Sequence, residues 1–292
     1  MSEVLGVEEV AAFLKDERKY DRELTRKEFH KLMYFARREL QELGISADIP
    51  YFWYKFGTMT PTTDEGIVVD RTEGTVECTK KPDEVGVPSD LESEVRLGVS
   101  RVLNRYYELG IEGLTDVMYE NAPYDVQRKY RCLDKQLSEL PKGETNLDCE
   151  TSSLRESVFD IIDSFPKEEF PECREYLLIW YSIMDEELDS PDFSASHAMD
   201  ITEAFWTIFS VKLAQKESTE VTLNEIVTTL GTDKGTFFEY AEKMKTRLRM
   251  HDRERIEMNS EENVGVNGRI EEESVKEAAT AIAKSMPDIP TP

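Results

Sequence analysis

Two incompatible periods meet within residues 24–61, LTRKEFHKLMYFARRELQELGISADIPYFWYKFGTMTP, and that stretch constrains the chain most. Phe29, Leu32, Met33, Phe35, Ala36, Leu40 and Leu43 recur at three- and four-residue steps. Arg37, Arg38, Glu39 and Glu42 fall mainly outside that stripe, so the spacing predicts an amphipathic helix. Thr25, with Glu28 three residues on, forms a capping box at its start, and Gly44 suits its end. From Ile49 the period changes. YFWYKF is too aromatic and too short for a helix and predicts one strand, halted by Gly57 and Pro61.

The flanking segments read mostly as helices. A short amphipathic helix over 7–17 opens the chain, and short β segments at 66–69 and 75–78 predict a hairpin beside the aromatic strand. Helices are expected over 90–109 and 111–119, and a third in which Pro123 occupies the first turn. Residues 141–150, KGETNLDCE with its preceding proline, are polar and aperiodic and predict a linker. Further helices are expected over 151–164, 171–188 and 192–216, with their aromatic residues in the core. The organisation is therefore an α+β domain over 1–140, a helical domain over 151–250 and a largely disordered acidic tail over 251–292. The predicted class is mainly α with a small antiparallel β element.

Composition bears on the surface. The 292 residues carry 61 acidic and 36 basic side chains, a net charge of -25 spread along the chain. The 25 Phe and Tyr residues and three Trp argue for a packed core, since disordered chains lack them. Like charge of this size keeps a surface soluble and points to a salt-adapted microbe, a halophilic archaeon. It also repels nucleic acid and anionic lipid at long range. No apolar run reaches the roughly 18 residues a membrane helix needs, and the acidic N-terminus does not read as a signal peptide, so a cytoplasmic location is expected.

Catalytic signatures are missing from the sequence. His30, His197 and His251 stand apart from any Cys or Ser motif, and GTDKGT lacks the phosphate-loop pattern. Cys78, Cys132, Cys149 and Cys173 are scattered without a Cys-x-x-Cys pair, so neither a metal nor a cofactor is expected. With 61 carboxylates, paired acids arise by chance. A non-enzymatic protein is the expectation.

Three pieces of the N-terminal half resemble the Panacea domain, the SocA-like antitoxin family. HKLMYFARREL (30–40) is similar to that family's leading helix, WYKFGTMTP (53–61) to its aromatic segment entering a Gly-Pro turn, and NAPY (121–124) to its Glu-x-Pro-Trp region. Thr58 stands where the family usually has proline, and Tyr124 where it often has tryptophan. The resemblance covers about residues 6–140. It implies a mainly helical domain with a small β element that binds and neutralises a toxin-like protein partner. Carried over residue by residue, it implies Tyr34, Trp53, Tyr54, Gly57, Pro123 and Tyr124 as partner-binding positions.

A second signal lies in 219–249, where Ile226, Leu230, Gly231, Phe237 and Tyr240 follow helix-turn-helix spacing. The alternative expectation is therefore a DNA-binding regulator. Thr232, Asp233, Lys234 and Thr236 would head its recognition helix, and Lys243, Lys245, Arg247 and Arg249 would meet phosphates.

Overall fold

The computed structural model describes residues 4–19, 22–140, 148–219 and 221–263. Val7, Val10, Ala11, Phe13 and Leu14 are buried on helix α1 (Val7–Asp16), as their spacing requires. A two-residue strand β1 (Leu24–Thr25) leads into α2 (Arg26–Glu42), whose capping box is present, with the Thr25 side chain accepting from the Glu28 N–H.

The aromatic segment departs from its sequence reading. It is a hairpin of two strands, β2 (Tyr51–Tyr54) and β3 (Gly57–Met59), turning at Lys55 and Phe56. Gly57 starts the returning strand at φ 116°, a backbone conformation that side chains resist. The pairing sets Phe52 opposite Met59, Trp53 opposite Thr58 and Tyr54 opposite Gly57. Strands β4 (Ile67–Asp70) and β5 (Thr75–Cys78) form the expected second hairpin, but not beside the aromatic one. They pair with β1 in a separate three-stranded sheet, ordered β1-β5-β4.

Helices α3 (Ser89–Tyr106), α4 (Gly110–Glu120) and α5 (Asp125–Glu139) follow. Tyr124 is the N-cap of α5, so Pro123 lies outside that helix and not in its first turn. Residues 141–147 of the expected linker are outside the described residues. On their two sides α5 and α6 (Asp148–Ser164) pack together, and Leu133, Leu137, Leu154 and Val158 share one core. Then come α7 (Arg174–Asp189), α8 (Ala195–Lys216), a two-residue strand β6 (Ser218–Thr219), α9 (Leu223–Leu230) and α10 (Lys234–Asn263).

Strand β6 pairs with β2, completing a sheet ordered β3-β2-β6 and tying the two halves of the sequence together. A second apolar cluster sits on the same strand. Phe52 packs there with Val211 and Ala214 of α8, Ile226 and Val227 of α9, and Phe237 and Ala241 of α10.

The protein is thus mainly α with small antiparallel sheets, and residues Met1–Met250 form one compact unit. His251–Pro292 form a second unit. Within it the chain stays helical to Asn263, where a disordered tail was expected, and Arg255 pairs with Asp252 at 2.9 Å. Residues 264–292, including a helix expected at 271–285, lie outside the described residues. Among the described residues no helix is long and apolar enough to cross a membrane.

Candidate functional site

The β2–β3 hairpin is held from three directions. The Lys55 carbonyl accepts hydrogen bonds from the Tyr119 hydroxyl of α4 at 2.5 Å and from the Trp206 indole of α8 at 3.0 Å. Tyr130 of α5 stacks on Trp206 with ring centroids 3.7 Å apart, which fixes that indole. Burial in this aromatic cluster raises the Tyr119 and Tyr130 hydroxyls above the usual phenol range, so both stay protonated. On the third side the buried Lys55 amine reaches Glu203 at 3.0 Å and the Tyr240 hydroxyl at 3.3 Å.

This clamp leaves one large side chain at the tip facing outward. Phe56 is 50% exposed, with the Lys27 amine 4.5 Å from its ring centroid. Phe238 and Tyr240 of α10 are also exposed. Tyr54, burying its ring against Phe237 at 6.2 Å, has its hydroxyl pushed up to about 12, mainly by burial and then by Tyr240.

The positions implied by the Panacea resemblance separate into core and surface. Tyr34 and Trp53 are buried, and their rings meet edge to face at 6.3 Å. Tyr54 is half-buried and Pro123 exposed. Gly57 lies where an added Cβ would come within 2.6 Å of Met118. Tyr124 packs on Phe170, and its hydroxyl lies 2.6 Å from Glu217 and 2.8 Å from Glu169. Trp53, Tyr54 and Gly57 therefore sit together at the hairpin, while Tyr124 belongs to a separate junction of α5 with the end of α8.

The helix-turn-helix segment is formed as a helix pair, with Gly231 in the left-handed conformation between α9 and α10. Asp233 caps α10 by accepting from the Thr236 N–H at 3.0 Å and the Thr236 hydroxyl at 2.7 Å. Lys234 is exposed and Thr232 partly so. The downstream cations lie against acids: Lys243 on Glu239, Lys245 on Glu242, Arg247 on Asp200 and Arg249 on Glu175, all within 3.0 Å. Arg26 and Arg71 donate to the Thr229 and Thr228 carbonyls, at 2.7 and 3.2 Å, and hold the end of α9.

His30 is buried, and its Nδ1 accepts from the Thr60 N–H at 3.2 Å. Its Nε2 has no partner among the described residues. Burial first, then Arg26 and Lys31, holds its pKa down at about 3, so the ring is neutral. Among the described residues no group of three His, Cys, Asp or Glu side chains is placed to hold a metal, and Cys78, Cys132 and Cys173 are free thiols.

Sequence reasoning did not single out Lys31, Lys55, Phe56 or Tyr119, and it placed Trp206 only in the core, where it is buried. The YFWYKF run carried no turn signal for Phe56, since it lacks the Asn-Gly or Asp-Gly pair of tight hairpins and reads as one strand. Lys31 carried none, because it lies opposite the Phe29–Leu32–Ala36 stripe and reads as solvent-facing. No family model, curated protein or solved structure matches this chain.

Proposed function

We propose that the protein is a non-enzymatic binding protein, a Panacea-like antitoxin that captures a toxin-like protein partner in the cytoplasm. The observation that carries this reading is the exposed Phe56 on a clamped hairpin. A large aromatic ring on a preorganised backbone loses little conformational freedom on binding, and aromatic residues dominate contact energies. Phe238 and Tyr240 supply a second exposed aromatic pair, on the helix that meets Lys55.

The test is co-expression with the products of the neighbouring genes, scored by growth rescue and by co-purification. Rescue by the wild type, and its loss in Phe56→Ala without a change in melting temperature, is the expected result. If no neighbouring product is neutralised and none co-purifies, the reading fails.

A DNA-binding regulator is the second reading, favoured by the formed α9–Gly231–α10 pair with Lys234 exposed at the head of α10. It is weakened by the carboxylates beside Lys243, Lys245, Arg247 and Arg249. A gel shift at high salt separates the two: binding that Lys234→Glu and Arg247→Glu abolish supports this reading, and unchanged or absent binding removes it.

A further inference from the structure

Side-chain contacts between α6 and α7 set how the two helices align. Arg155 reaches Asp185 at 2.6 Å and Asp189 at 2.5 Å, and one turn on the Phe159 ring meets the Tyr181 ring with centroids 5.6 Å apart. As the number rises on α6 it falls on α7, so the helices run antiparallel and the next turn brings Ile162 level with Leu178. Arg155, Phe159 and Ile162 follow i, i+4, i+7 on α6, and Leu178, Tyr181 and Asp185 follow i, i+3, i+7 on α7, so each set shares one helical face. The core takes Leu154, Val158 and Ile161 of α6 and Leu177, Trp180 and Met184 of α7.

The stripe between the helices is apolar and accessible. Phe159 is 47% exposed, and Ile162, Leu178 and Tyr181 are half-buried. A lone exposed apolar side chain is ordinary, whereas several in one stripe mark an interaction surface. Carboxylates border this one. Glu156 and Asp163 are exposed on α6, one turn to either side of Phe159, and Asp185, Glu186 and Asp189 follow on α7. Burial first, and then Asp189 and Glu186 against the opposing pull of Arg155, hold the Asp185 carboxyl above its ordinary value. A cation placed beside these acids would relieve their mutual repulsion.

We propose that the α6–α7 stripe is a docking surface for a basic amphipathic helix of a partner protein. Its apolar side chains would lie on Phe159, Tyr181, Ile162 and Leu178, and its Lys or Arg side chains on the flanking carboxylates. From residue 155 to residue 162 the stripe runs about 10 Å, roughly two helical turns. A groove of this kind between helices takes an amphipathic helix whose anchors recur at i, i+3 or i+4 and i+7. Charge selects this occupant over a second copy. With a net charge of -25 two chains repel each other, whereas a cationic segment is drawn in and meets acids at contact. The surface is built from α6 and α7 and not from the β2–β3 hairpin, so it stands apart from toxin capture through Phe56.

The experiment is isothermal titration calorimetry of the full chain with two synthetic leucine–lysine peptides of one composition. One has its leucines at three- and four-residue steps, and the other is scrambled so that it has no apolar face. The expected result is saturable binding of the patterned peptide, about tenfold or more tighter than the scrambled one. Phe159→Ser should weaken it about tenfold or more without a shift in melting temperature. Glu156→Lys combined with Asp163→Lys, both at exposed positions, should weaken the patterned peptide more than the scrambled one. Equal affinity for the two peptides would show general attraction to an acidic surface and overturns the proposal. Absence of saturable binding overturns it too, as does binding that Phe56→Ser abolishes and Phe159→Ser spares. If Phe159→Ser fails to fold, the double charge reversal decides, and unchanged affinity there overturns the docking surface. Self-association of the chain that Phe159→Ser abolishes would assign this face to a second copy, against the proposal. Toxin capture can fail with peptide binding intact, so the two readings stand or fall separately.

Discussion

Trp206 donates its indole N–H to the Lys55 carbonyl at 3.0 Å across 151 residues of sequence. Tyr119 donates to the same oxygen, so both lone pairs of that carbonyl are used and the hairpin turn is tied to α4 and α8 together. Trp206→Phe keeps most of the ring stacked on Tyr130 but removes the donor. It is expected to cost about 1–2 kcal/mol in urea unfolding, against about 3–5 kcal/mol for Trp206→Ala. An unchanged urea midpoint in Trp206→Phe would show that the clamp contributes nothing.

Gly57 answers to two constraints at once, a φ of 116° and a Met118 Cγ that a Cβ would approach to 2.6 Å. Gly74 has φ 71° with nothing within 4 Å of its Cβ position, so it carries left-handed strain without a clash. Gly57→Ala should therefore destabilise more than Gly74→Ala, by about 1–3 kcal/mol from overpacking against Met118 together with its less tolerated φ. Met118→Ala in the Gly57→Ala background should recover part of that difference. Equal losses at the two glycines would mean that α4 yields freely.

The parts of this fold that are set by neighbouring residues were legible, and the parts set across the sequence were not. Thr25 and Glu28 announce the start of α2 because a capping box is local. The turn at Lys55 and Phe56 lacks the Asn-Gly or Asp-Gly pair that marks tight hairpins, and its geometry depends on Tyr119 and Trp206 far away. Strand β6 is two residues long, too short to carry a period, yet it joins Ser218 and Thr219 to the aromatic strand. Lys31 reads as exposed on its own helix but is buried, with the Gly57 strand beside its Cε. Periodicity on one helix cannot report what another element places over it.

His30 should make stability depend on mildly acidic pH. Its folded pKa of about 3 lies below the ordinary histidine value of 6.5, so between these values the unfolded chain binds the extra proton. Stability from this group is present above about pH 6.5 and falls as the pH drops toward 3. Between pH 7 and pH 5 the wild type should lose about 2 kcal/mol more than His30→Gln in urea unfolding. Parallel losses in the two proteins would show that His30 takes up its proton without unfolding.

Arg71 and Gly231 should be coupled. The Arg71 guanidinium fills the space beside Gly231, where a Cβ would overlap it, while donating to the Thr228 carbonyl. Gly231→Ala therefore displaces that guanidinium as well as straining a left-handed residue. In the wild type it should cost about 1–2 kcal/mol. In an Arg71→Ala background only the backbone strain remains, so the same substitution should cost about 0.5–1.5 kcal/mol less. The double-mutant cycle measures this by urea unfolding of four proteins. Additive losses would mean that Arg71 swings away without consequence and that the β4–β5 turn does not help to hold α9. A positive coupling would show that the α9–α10 turn is anchored by the N-terminal half, so a DNA-reading pose that requires this turn free would first have to break that anchor.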